Sequence, residues 1–229
     1  MRLGGLAKMT LLDFPGRVAA TVFTAGCGMR CPFCHNASLV THIGEELPVD
    51  ELLSFLKKRQ GLLDGVCITG GEPLLQPDTE ELIRAIRAMG YAVKLDTNGM
   101  YPERLSSLID GGLLDYVAMD IKNSQEKYAV TAGLSAMPEG ITDSVRLLLR
   151  GEVPYEFRTT VVDELHEPSD FAEIGAWIAG AERYFLQSFV DSGDLIGEGF
   201  SPPSAEKLAA CLSAVRPFVP AAALRGTSG

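Results

Sequence analysis

The stretch "GCGMRCPFCHNA", residues 26–37, places Cys27, Cys31 and Cys34 within eight positions and then offers no further cysteine. Gly26, Gly28 and Pro32 give a loop that can fold back until three thiolates face one centre. Structural zinc takes four ligands, and His35 is the nearest fourth donor. It adjoins Cys34, however, and adjacent side chains seldom converge on one tetrahedral ion. Three unconnected core cysteines fit poorly in so polar and turn-rich a loop. A 4Fe-4S cluster usually takes one cysteine per iron, so three cysteines leave one iron open for a ligand that reacts.

Around this loop, short apolar β-rich runs at 18–24, 65–69, 92–96, 116–121, 156–162 and 183–189 predict six strands. Helical patterns at 49–59, 78–89, 102–110, 139–149, 168–179 and 204–215 fall between and after them. Strand and helix in alternation make an α/β fold with a parallel sheet, either open and doubly wound or a barrel left incomplete at six strands. A last strand is expected near residues 222–224, and residues 226–229 read as a disordered tail. In both architectures ligands gather at the C-terminal ends of the strands, where the cysteine loop and the other polar motifs fall.

The 229 residues fit one domain, with its core at about 18–200 and a C-terminal helix and tail at 201–229. A net charge of -10 argues against nucleic acid as a partner, since phosphate binding needs clustered Lys and Arg. No apolar run is long enough for a membrane helix, and the N-terminus lacks the layout of a secretion signal. Five cysteines, an odd number with three bunched, suit a reducing compartment, so the expected location is the cytoplasm. Cys67 and Cys211 read as small buried hydrophobes. His42 and His166 read as solitary surface histidines without a role.

With Phe33 as the aromatic, C-x3-C-x-(aromatic)-C resembles the signature of the radical S-adenosylmethionine (radical SAM) enzymes. The resemblance implies a partial (β/α)6 TIM-like barrel and a 4Fe-4S cluster on Cys27, Cys31 and Cys34. The open iron would be chelated by S-adenosylmethionine, which reduction cleaves to methionine and a 5'-deoxyadenosyl radical. Phe33 and the backbone of His35 would then line the cofactor.

Gly70-Gly71-Glu72-Pro73 follows the second predicted strand and reads by itself as a plain turn or as a close approach to a ligand. It looks like the family's GGE motif, which implies that Glu72 meets the amino group of S-adenosylmethionine. Asp96-Thr97-Asn98-Gly99 and Met119-Asp120-Ile121-Lys122 end the third and fourth strands and are similar to segments of glycyl-radical activating enzymes. That likeness makes Asp96, Thr97 and Asp120 ligands of a monovalent cation, Lys122 the partner of the cofactor carboxylate, and Asn98 part of the cofactor-binding set. Arg158 is either a salt-bridge residue or, by resemblance, a group facing S-adenosylmethionine. Gln187 stands where an adenine-stacking histidine would be expected.

Residues 4–16 and Cys31 to Asn36 look like the corresponding stretches of anaerobic ribonucleoside-triphosphate reductase activating proteins. The expected partner is therefore a glycyl-radical enzyme, that reductase first, with an external electron donor such as a flavodoxin. An activase of the pyruvate formate-lyase type, a small-molecule radical enzyme of the same fold, and a non-enzymatic metal-binding module are the other readings.

Overall fold

The computed structural model describes residues 1–41 and 45–226. His42 and the tail residues 227–229 lie outside the described residues. The chain forms two compact units. One holds Met1–Gly28, Ser38–Ala118 and Glu152–Pro154; the other holds Met29–Ala37, Met119–Gly151 and Tyr155–Gly229.

In the first unit β1 (Leu3–Thr10) runs antiparallel to β2 (Ala19–Thr24), with Leu6 opposite Val22. β2 then pairs in parallel with β3 (Gly65–Gly70), and β3 with β4 (Ala92–Thr97). α1 (Ala37–Thr41) is one short turn whose first residue belongs to the second unit. The crossover helices are α2 (Val49–Lys58) and α3 (Thr79–Ala88). α3 buries Leu82, Ile83 and Ile86, one stripe of a 3.6-residue period. Most of β2 and most of β3 are buried residue after residue, as strands covered on both faces should be. α4 (Pro102–Asp110) starts on a proline, whose missing N–H costs nothing at a first helical position.

β5 (Tyr116–Asp120) carries the boundary, with Met119 and Asp120 in the second unit. That unit continues through α5 (Tyr128–Ala132), α6 (Glu139–Leu148), β6 (Tyr155–Val161), α7 (Pro168–Trp177), β7 (Tyr184–Ser188), α8 (Ala205–Val215) and β8 (Ala223–Arg225). β6, β7 and β8 pair in parallel. Glu156, buried in β6, is gripped by both terminal nitrogens of Arg225 at 2.5 and 2.7 Å, which fastens β8 to the unit.

Among the described residues eight strands form: the six expected, the short last one expected near 222–224, which is β8, and β1, which was not expected. β1 escaped because Gly4 and Gly5 dilute its β-forming pattern. A Cβ on Gly4 would stand 2.2 Å from Leu39 Cδ2, so a larger residue there would push that side chain aside. α1 and α5 have five residues each, too short for periodicity to show. No helix among the described residues is long and apolar enough to cross a membrane.

Candidate active site

The predicted site residues fall into both units. In the first unit, Gly70 leaves β3 at φ 111°, a conformation that glycine alone adopts easily. The next two residues are stitched to the start of the cysteine loop: Gly71 N–H donates to Thr24 O at 2.8 Å, and Glu72 N–H donates to Gly26 O at 2.7 Å. Cys27 follows directly, half-buried, and Asn98 Nδ2 donates to its Sγ at 3.6 Å.

Glu72 is fully buried, and its carboxylate accepts from Leu74 N at 3.0 Å, Thr97 Oγ1 at 2.9 Å and Asn98 N at 2.7 Å. It thereby ties the loop after β3 to the loop after β4. Thr97 Oγ1 in turn accepts from Gly99 N at 3.1 Å. Lys94, buried inside β4, pairs with Asp96, and Cys67 lies beside them with Sγ 3.8 Å from Lys94 Nζ. Cys67 is fully buried, as expected, and its neighbour is an ion pair. Lys94 drew no notice in the sequence, because a lysine in an alternating strand reads as solvent-facing.

In the second unit, Cys34 N–H closes a turn on Cys31 O at 3.0 Å. Cys31 is buried, Cys34 is half-buried and Phe33 is buried. The backbone of Arg30 is held by Ala132 O at 3.0 Å, just before Gly133, where a Cβ would strike Arg30 O. The carbonyl of His35 accepts from Ser192 Oγ at 3.0 Å.

Asp120 is clamped by Arg158, with Nε at 3.0 Å and Nη2 at 2.9 Å from Oδ1, and by Lys122 Nζ at 3.1 Å from Oδ2. Burial works against its charge, but Arg158 and then Lys122 outweigh it and hold the carboxyl well below the usual carboxylate range. Lys122 is likewise opposed by burial, yet Asp120 and Cys31 raise its pKa, so its ammonium keeps its proton. Burial, and next the Lys122 charge, lower the pKa of His35, which is neutral near pH 7. Arg158 thus makes a salt bridge, with Asp120 as partner.

His166 is not a surface histidine. It is fully buried, with Nδ1 accepting from Val162 N at 3.1 Å and Nε2 placed 2.8 Å from Lys122 O. With Nδ1 an acceptor, Nε2 carries the proton and pins the backbone of Lys122. Asn123 adds a second brace through Thr131 Oγ1 and Leu165 O. These residues gave no sequence signal, because their partners are distant in the chain.

Burial lowers the His166 pKa, so the imidazole stays neutral when folded and takes a proton on unfolding once the pH drops below about 6.5. Its contribution is fully present above that pH and is lost as the pH falls. Anaerobic urea unfolding is expected to show stability declining from pH 7.5 to 5.5, each such imidazole adding up to about 1.4 kcal/mol per pH unit. His166→Asn should flatten the slope; an unchanged slope would refute the assignment.

The chain matches the model of the radical SAM superfamily over residues 21–168. A Methanocaldococcus jannaschii protein, provisionally named as a glycyl-radical enzyme activating enzyme, is 31% identical over 195 residues, which is 82% of this chain and 79% of that one. The pyruvate formate-lyase-activating enzyme of Clostridium pasteurianum is 34% identical over 132 residues, 53% of this chain and 52% of its own length. Among solved structures, SuiB of Streptococcus suis, bound to its precursor peptide SuiA, superposes with a TM-score of 0.72 at 13% identity, covering 90% of this chain and 48% of that one. The likeness to SuiB shows the fold.

Radical SAM enzymes use a 4Fe-4S cluster and S-adenosylmethionine, and the donor set here fits both. The three cysteines of the loop are thiols outside any disulfide, Gly70 and Gly71 allow close backbone approach, and Lys122 is a cation fixed by its neighbours. The α/β fold expected from the sequence is the one found, and the chain belongs to the radical SAM superfamily, within its glycyl-radical-enzyme activating group.

Proposed function

We propose that this enzyme activates anaerobic ribonucleoside-triphosphate reductase by removing a hydrogen atom from one backbone glycine of that protein. The reading is carried by residues 4–16 and Cys31 to Asn36, which look like the same stretches of that reductase's activating proteins. When bound, the cluster and S-adenosylmethionine supply the one-electron chemistry that cleaves the sulfonium and abstracts the hydrogen. Cys27, Cys31 and Cys34 would hold three irons. Lys122, kept charged by Asp120, would meet the cofactor carboxylate, and Arg158 would fix Asp120 in place. Backbone groups of Gly70 and Gly71 would approach the methionine end, with Phe33, His35 and Asn98 around it. In this reading Glu72 serves chiefly to hold the two loops together, since three donors already claim its carboxylate. Burial keeps Tyr128 protonated, so it adds no negative charge beside Lys122. The electron would come from an external donor such as a flavodoxin.

The test is anaerobic reconstitution, reduction by dithionite with S-adenosylmethionine, and addition of the reductase. The expected result is 5'-deoxyadenosine together with a glycyl-radical doublet in electron paramagnetic resonance. A doublet on pyruvate formate-lyase and none on the reductase would reassign the partner. Cleavage with no doublet on any glycyl-radical enzyme would favour a metabolite as substrate. Bound zinc with no iron–sulfur spectrum would leave only a metal-binding module.

A further inference from the structure

Lys94 is 2% exposed, and lysine is almost never fully buried unless it is paired. Its ammonium pairs with Asp96, two residues along β4 on the same face. In register across β3 lies Cys67, whose Sγ is 3.7 Å from Asp96 Oδ1. Thr97, the other residue of this unit with an expected place on a monovalent cation, spends its hydroxyl on Glu72 and on the Gly99 N–H. In the second unit the carboxylate of Asp120 holds Lys122 and Arg158. Each carboxylate that the family resemblance would give to a free cation thus carries a cationic side chain of the chain itself.

We propose that Lys94 is a built-in monovalent cation: its ammonium takes the place on Asp96 that Na⁺ or K⁺ would otherwise fill, and the enzyme needs neither ion. Lys94 is then a positioning residue, acting through Asp96 on the turn Thr97-Asn98-Gly99. The proposal rests on the activase reading only for its catalytic readout.

The reconstituted holoprotein is moved into tetramethylammonium chloride, then titrated with KCl or NaCl at constant ionic strength. Melting temperature and 5'-deoxyadenosine formation are followed. For the unaltered protein neither should respond to either ion. Lys94→Met takes the cationic partner from a mostly enclosed carboxylate and should melt about 10 °C lower in tetramethylammonium. K⁺ or Na⁺ should restore both readouts saturably. The double variant Lys94→Met/Asp96→Asn, with neither charge, should melt higher than Lys94→Met and ignore both ions.

A saturable rise of melting temperature and rate in the unaltered protein would overturn the proposal. So would a folded Lys94→Met that neither ion rescues. If no protein forms 5'-deoxyadenosine, the functional reading fails, and the melting temperatures still decide the question of the lysine.

Discussion

Cys34→Ala is expected to lose the iron–sulfur absorbance and all 5'-deoxyadenosine formation while the apoprotein unfolds at nearly the same urea concentration. Cys34 is half-buried, so shortening it removes little packing and should cost less than about 1 kcal/mol. The cluster, by contrast, would be left with two thiolates for three irons. Cys211→Ala is the mirror case. That thiol is fully buried in α8, and burial pushes its pKa up to about 11, so it is neither a thiolate nor near the cysteine loop in sequence. Its removal should cost about 1 kcal/mol of stability and leave the cleavage rate intact. A Cys34→Ala protein that still binds iron and cleaves S-adenosylmethionine would show that the ligands were misassigned.

Gly71→Ala should be among the most damaging single-methyl additions in the first unit. A Cβ there would stand 2.0 Å from Gly26 O and 2.7 Å from Gly26 C, and both are backbone atoms that no rotamer change can clear. Relief requires Gly26 to move away, which breaks the 2.7 Å bond from Glu72 N to Gly26 O and displaces Cys27, the next residue. The expected cost is about 3 kcal/mol or more, with iron content per chain falling in parallel. Gly90→Ala is the comparison. Its φ of 89° makes alanine strained, but nothing lies within 4 Å, so about 1–2 kcal/mol and no effect on iron is expected. Iron bound normally by Gly71→Ala would mean that the contact with Gly26 does not position the cysteine loop.

Much of the fold was legible in the chain because parallel strands and amphipathic helices write their burial into the sequence. The run at 102–110 became α4 with the same bounds, and the run at 65–69 became β3 with one residue more. β1 was not legible, since its two glycines dilute the pattern of β-forming residues, and Gly4 lies against Leu39, well downstream.

The sequence by itself determined the cysteine spacing, the alternation of strand and helix, and the chemistry that three thiolates imply. Those are local properties, set by side-chain type and by periods of 2 and 3.6 residues. Only the tertiary structure decided what the polar residues do. Alternation puts Lys94 and Asp96 on one face of β4, but whether that face meets water depends on what covers it, and here Lys94 is buried with Cys67 beside it. The motif alone offered Glu72 to an ammonium group, and the fold adds bonds from Thr97 and Asn98, some 25 residues away, that make it a tie between two loops. His166 looked idle at the surface until Val162 N and Lys122 O enclosed it. A buried polar group must find its hydrogen bonds inside the protein, and the partners are chosen by which strands and loops the fold brings together.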